Sequence, residues 1–350
     1  MSKFKDYQFY KESNNEYKLL PFNFNELNKS QYILTNLVGQ YIIIKKNQLS
    51  KFIDKKLSFS EKLYNDLKSK HFLYDDKSDV AIDLLTLKTR TKYRKLADFT
   101  GLHIFVISLR CEHSCPYCQV SRRSADTEAF DMSIETAYKS LELVFKSPSK
   151  TIKIEFQGGE PLLNFPRIKD IVLKAEEMNI LFDRNIQYVI ATNLALINDD
   201  ILEFCKKHDI LISTSLDGPL DLHNKNRPRP GNNSHQLTLE GINKSRSILG
   251  FDKVGALMTT TKNSLGRVHD IIDEYVSLDF DSIFLRPLSP YGFAIKTRSY
   301  DKYKSDEWLE FYKKGLDYII EINKAGHFFC EQYSATILTK ILTPFDTGYV

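Results

Sequence analysis

The chain has 350 residues, 42% of them hydrophobic and 27% charged, with a formal net charge of +4. That balance belongs to an ordinary globular protein with room for one large domain and a smaller one, and it excludes a disordered or collagen-like chain. Basic and acidic residues are interspersed, which argues against nucleic acid as a partner, because phosphate binding needs a clustered basic face. No apolar run approaches the roughly 20 residues that span a bilayer, which argues against a membrane protein.

The N-terminal stretch "MSKFKDYQFYKESNNEYK" is polar and lacks the apolar core of an export signal. The expected compartment is therefore the reducing cytoplasm, where clustered cysteines serve as metal ligands or catalytic thiols more often than as disulfides. Residues 1–98 read as a small α+β domain. "QYILTNLVGQYIIIKK" predicts a hairpin turning at Val38-Gly39, followed by two short helices, "NQLSKFID" and "SEKLYNDLKSK", and a short strand at "HFLY". A longer helix, Val80 to Asp98, leads out of this region.

From Leu102 a rhythm sets in. Six β-rich runs, "LHIFVISL", "TIKIEF", "IQYVIAT", "ILISTSLD", "KVGALMTT" and "DSIFLRPL", alternate with helical periods. The first helix, "SIETAYKSLELVFKS", places Ile134, Ala137, Tyr138, Leu141, Val144 and Phe145 on one face. Strand and helix alternation with near-continuous apolar strands predicts an α/β fold with a parallel sheet covered by helices. Periodicity leaves two architectures open, a doubly wound open sheet and an incomplete barrel.

Both architectures gather ligands at the C-terminal ends of their strands. Here those ends carry Arg110-Cys111, "QGGEP", Thr192-Asn193, "SLDGP", Thr259-Thr260 and Arg286-Pro287. The first is the most informative. Cys111, Cys115 and Cys118 put three of the five cysteines into eight residues. Cys-x3-Cys-x2-Cys turns its thiolates toward one centre, and three ligands without an evident fourth imply an exchangeable coordination position. Cys205, inside the helical "ILEFCKKH", reads as a small buried hydrophobe, and Cys330 reads similarly. Structural zinc with His113 as fourth ligand, or a redox pair with a bystander, are the competing readings of the loop.

The loop, with Tyr117 just before its last cysteine, resembles the signature of the radical S-adenosylmethionine (radical SAM) superfamily. "FQGGEP", "ATN" and "STSLDGP" resemble that superfamily's later strand-end motifs, in order, over residues 100–290. "KIEFQGGEPLLNF", "ATNLAL", "HNKNRP" and "IFLRPLSPYGF" are most similar to a peptide-modifying branch, the maturases of the His-Xaa-Ser system, close to the sulfatase-maturating enzymes. The resemblance implies a partial (β/α)6 TIM-like barrel over residues 99–300, preceded by the small domain and followed by C-terminal helices over 301–350. It implies that Cys111, Cys115 and Cys118 bind a [4Fe-4S] cluster whose fourth iron takes S-adenosylmethionine. Backbone groups of Gly158 and Gly159, with Glu160, would then meet the cofactor's amino group. Asn193, Ser215 and Asp217 would line the remaining pocket beside Tyr117, and Arg227 would pair with the cofactor carboxylate. The chemistry implied is reductive cleavage to a 5′-deoxyadenosyl radical that takes a hydrogen from the substrate.

Implied partners are a peptide or protein substrate, with His-Xaa-Ser repeats in the nearest case, an electron donor of flavodoxin or ferredoxin type, and a second radical SAM protein of the same system. Residues 17–75 resemble peptide-recognition modules that take a leader peptide as an added strand; a packing subdomain is the alternative. Relatives continue into a Cys-rich domain with auxiliary clusters. This sequence ends at "ILTKILTPFDTGYV", near the start of that domain, which favours a truncated or split product. Two other functions stand beside peptide maturation: sulfatase-type oxidation of Ser or Cys, and an inactive remnant or zinc-stabilised peptide-binding module. No catalytic acid or base is evident.

Overall fold

The structure is a computed structural model that describes residues 17–75, 80–343 and 347. The remaining parts of the expected first and last segments lie outside the described residues. Two compact units divide the chain: residues 1–96 with 336–350, and residues 97–335. The expected C-terminal segment is thus divided between them instead of standing alone.

The first unit contains strands β1 (Lys18–Leu19), β2 (Phe22–Asn28), β3 (Gln31–Asn36) and β4 (Tyr41–Lys45). Helices α1 (Lys46–Ile53) and α2 (Lys62–Ser69) follow, then β5 (Leu73–Tyr74) and α3 (Val80–Lys92). The hairpin of β3 and β4 turns at Gly39, whose φ of 79° suits glycine. The sheet has a third antiparallel strand, β2, giving the order β2-β3-β4. "FNFNELN" alternates only weakly and is mostly exposed, which hid it from a pattern reading. Leu34, Leu49, Phe52, Tyr64, Leu67 and Phe72 form the core. The helix expected through Asp98 ends at Lys92 and gives way to a 3-10 turn, and neither piece buries a residue.

In the second unit, β6 (Leu102–Ser108), β7 (Thr151–Gly158), β8 (Asn185–Thr192), β9 (Ile210–Ser215) and β10 (Val254–Leu257) form one parallel sheet in the order β10-β9-β8-β7-β6. Crossovers of one hand in sequential order put every helix on the same face, as in a barrel; a doubly wound sheet reverses its order. The helices are α4 (Ile134–Phe145), α5 (Phe165–Phe182), α6 (Asp199–Lys207), α7 (Leu220–Asn226), α8 (Ser234–Leu249) and α9 (Val268–Ser277). Under them lie Ile107, Ile154, Phe156, Ile190 and Ile212, fully or almost fully buried. In α4, Ala137, Leu141, Val144 and Phe145 pack inward, whereas Ile134 and Tyr138 sit at its rim and are 38% exposed.

The opposite, inner face is different. Leu102, Ile104 and Val106 of β6 are about half exposed there, beside Lys153, Glu155 and Gln157 of the paired strand. A closed barrel packs its interior, and this one leaves a wet, mixed floor.

The sixth unit departs from its prediction. β11 is only Ser282–Ile283 and pairs with β12 (Cys330–Glu331), outside the five-stranded sheet. The chain continues through α10 (Gly292–Lys296), α11 (Ser305–Lys324) and α12 (Gln332–Leu342). Past β11, Leu285 N donates to Glu331 Oε1 at 3.1 Å, and Pro287 has no N–H to offer a ladder. Glu331 is buried and also accepts from Tyr312 Oη and Ser334 N. Glu331→Ala should cost about 2–3 kcal/mol in urea unfolding, since three buried donors lose a charged acceptor. Hydrogen exchange should show the Leu285 amide losing protection.

Candidate functional site

The loop after β6 is stitched down on three sides. On its own return leg, Arg123 N donates to Leu109 O (2.7 Å) and Cys111 N to Arg123 O (3.1 Å). Arg110 is buried, with a two-pronged contact to Asp131 at 2.8 and 2.6 Å and bonds to Ala125 O and Leu163 O. On a second side Ser114 N donates to Pro228 O at 2.7 Å. A strap formed by α10 and the residues after it closes the third. Ala294 N donates to Cys118 O at 3.0 Å, and Thr297 Oγ1 to Pro116 O at 2.5 Å. Gly292 permits this approach, because its φ is +52° and a Cβ there would lie 2.5 Å from Gln119 O. Arg286 reaches the same loop through Gln119 Oε1 at 2.8 Å.

All five thiols are free, with Cys115 buried and Cys111 and Cys118 partly open. Burial, reinforced by Glu112 and Glu160, pushes the Cys111 thiol far up; burial pushes Cys115 up to about 12 against the pull of Arg227. A metal must therefore displace protons to bind here. Cys205 is fully buried in α6, as a small hydrophobe should be.

Gly158 and Gly159 have a different reason from the one expected. A Cβ on Gly158 would meet Ser108 O at 2.0 Å, and one on Gly159 would meet Arg110 O at 2.1 Å. The glycines let β7 close onto the root of the cysteine loop, where Gly159 N donates to Ser108 O and Glu160 N to Arg110 O. Glu160 is correspondingly turned to its own chain. Its fully buried carboxylate accepts from Leu162 N (3.0 Å), Thr192 Oγ1 (2.7 Å) and Asn193 N (2.9 Å). Burial and then Glu112 push it up to about 8, against those three donors. Glu160 thus ties the second and third strand ends together through both of its oxygens.

Asp217 is engaged by its own chain in the same way. It is fully buried. Its Oδ2 accepts from Tyr117 Oη (2.5 Å) and Arg227 Nε (3.0 Å), and its Oδ1 from Arg227 Nη2 (3.1 Å) and Thr259 N (3.2 Å). The carboxylate opposite Arg227 is therefore Asp217, and the guanidinium also lies 5.5 Å from the centre of the Tyr117 ring. Burial holds the Tyr117 phenol well above its ordinary range, so it remains a donor. Ser215 is half-buried at the end of β9, opposite Leu257 on the inner face.

His113 has no free nitrogen for zinc. Its Nε2 lies 2.8 Å from Ser234 Oγ and its Nδ1 3.0 Å from Glu112 Oε1. Among the described residues, the trio close enough for one ion is Cys111, Glu112 and His113, within 4.8 Å. The other two cysteines fall outside it, a spread suited to a cluster of several metal atoms and not to one tetrahedral ion. Glu112 Oε2 and Arg122 Nε, on the same loop, are buried without hydrogen-bond partners. Three thiols with no fourth cysteine in the loop, beside orphaned polar atoms, fit an iron–sulfur centre with an exchangeable position. His223, Ser234 and Thr297 are not marked by any strand-end motif, since each reaches the loop's network only across long separations.

Residues 105–275 match the model of the radical SAM superfamily. That stretch of the chain is similar to a radical SAM domain. The superfamily's cofactors are a [4Fe-4S] cluster and S-adenosylmethionine. An uncharacterized protein of Methanocaldococcus jannaschii, MJ0907, is 33% identical over 191 residues, 53% of this chain and 62% of that protein. A cysteine-type anaerobic sulfatase-maturating enzyme of Clostridium perfringens is 24% identical over 225 residues, 59% of each. The chain thus spans about three-fifths of these curated relatives. Native anSMEcpe with bound AdoMet and Cp18Cys peptide shares the fold at TM-score 0.56 and 20% identity, covering 69% of this chain and 65% of that one. Streptococcus suis SuiB bound to its precursor peptide SuiA does so at 0.50 and 18%, covering 86% and 69%.

Asp217→Asn should destabilise the second unit by about 3–5 kcal/mol in urea unfolding, because it leaves the Arg227 charge buried and unpaired. Adding Arg227→Met to it should recover part of that loss.

Proposed function

We propose that this chain is a radical SAM enzyme that modifies a peptide or protein. The observation that carries this reading is the stitched loop with three free thiols and no fourth cysteine, at the C-terminal rim of a parallel sheet. Cys111, Cys115 and Cys118 would hold the cluster. When bound, the cluster and S-adenosylmethionine supply a 5′-deoxyadenosyl radical able to remove a substrate hydrogen. Gly158 and Gly159 would keep β7 close enough for its backbone to reach the cofactor. Asn193 and Ser215 would line the pocket. Arg227, held flat by Asp217 and Tyr117, would present its remaining N–H groups to the cofactor carboxylate. The buried surroundings would exclude water from a reactive species.

A peptide substrate is supported by two structures of the same fold that hold peptides, anSMEcpe and SuiB. The three-stranded sheet of the first unit, with β2 and β4 at its edges, offers a place for a leader peptide to add as a strand. Within this class we favour maturation of His-Xaa-Ser peptides, on the motif resemblance, with a flavodoxin or ferredoxin as electron donor and a second radical SAM protein as partner. Oxidation of a Ser or Cys side chain is the second reading, favoured by the likeness to the Clostridium perfringens enzyme.

Anaerobic reconstitution with iron and sulfide, followed by reduction and addition of S-adenosylmethionine, should yield 5′-deoxyadenosine by mass spectrometry. Cys118→Ala should yield none. Bound zinc in place of a brown iron–sulfur chromophore would overturn the proposal.

A further inference from the structure

Half of the Glu112 carboxylate is unanswered. Its Oε1 accepts from Asn193 Nδ2 at 2.8 Å and lies 3.0 Å from His113 Nδ1, whereas its Oε2 is buried with no partner. Glu160 and Asp217, the other two acidic groups at the site, have both oxygens occupied. Glu112 also lies beside a candidate cluster ligand, with a carboxylate oxygen within 4.8 Å of Cys111 Sγ. A buried anionic oxygen without a donor is costly, and a charged donor arriving beside Cys111 removes the cost.

Glu112 sits at one end of a buried chain of hydrogen bonds. Asp217 N–H can only donate, so His223 Nδ1 accepts (3.3 Å). The hydrogen of a neutral imidazole then sits on His223 Nε2 and points to Ser234 Oγ (3.0 Å). Ser234 Oγ lies 2.8 Å from His113 Nε2, and His113 Nδ1 lies 3.0 Å from both Glu112 Oε1 and Asn193 Nδ2. His223, Ser234 and His113 are all buried, so water does not compete for these bonds.

We propose that Glu112 is the carboxylate that receives the amino group of S-adenosylmethionine, and that Ser234 and His223 are positioning residues that aim it. This rests on the radical SAM reading above. An ammonium group answers both the vacant acceptor and the charge of Glu112; a water molecule answers only the first.

The test uses full-length protein reconstituted anaerobically, with iron and sulfide content and the cluster's EPR signal as one readout and the Kd for S-adenosylmethionine as the other. Glu112→Gln, which keeps the shape of the side chain, should assemble the cluster and weaken S-adenosylmethionine binding by about ten- to a hundredfold. An analogue without the amino group should bind the wild type and Glu112→Gln alike. Ser234→Ala should weaken S-adenosylmethionine severalfold with an intact cluster, and Ser234→Thr should restore it. An unchanged Kd in Glu112→Gln, or in Ser234→Ala with its cluster intact, overturns the inference and leaves the radical SAM reading standing. A wild type that assembles no cluster overturns both.

Discussion

The buried carboxylate of Asp217 is the point on which the rim of the second unit depends. Tyr117 reaches it from the cysteine loop, Arg227 from beyond α7 and Thr259 from the end of β10. None of these segments shares a ladder with another, so the ion pair and its hydrogen bonds set their mutual distances. A buried pair is an uncertain source of net stability, but it is a demanding source of geometry, because losing either partner strands a charge. The cysteine loop thus inherits its place from a contact that contains no cysteine.

Close backbone approach does the same work on the other flank. Gly158 and Gly159 let β7 run against Ser108 and Arg110, and Glu160 then fastens β8 through Thr192 and Asn193. Glu160 and Asp217 each take donors of their own chain on both oxygens, whereas Glu112 on the loop itself is more lightly satisfied. Satisfied polar networks of this kind rigidify a site, which suits a loop that must present three thiols at fixed spacing.

The open inner face completes the picture of a working cavity. Its aliphatic ridge on β6 and the polar row on β7 are neither a packed core nor an ordinary exterior. A parallel sheet of five sequential strands cannot close on itself, and the sixth unit, turned toward Glu331, does not close it. The inner face of the sheet stays open in consequence.

Much of this was readable along the chain, because the signals are local. Cysteine spacing, the strand and helix periods from Leu102, and "GGEP" each occupy a few consecutive residues, and the resulting helices bury the predicted Ala137, Leu141 and Val144. What the tertiary structure decided lies between residues far apart. Ser234 meets His113 across 121 positions, Arg286 meets Gln119 across 167, and Thr297 meets Pro116 across 181. Sequence also presented the sixth run as one more strand, since its composition is right; only the competing acceptor on Glu331 turned it away from the sheet. By itself the sequence determined which residue types bear the chemistry and in what order along the sheet. Which carboxylate is occupied and which is vacant was left to the fold, because hydrogen-bond partners are chosen by distance in space, and a single sequence carries no record of that distance.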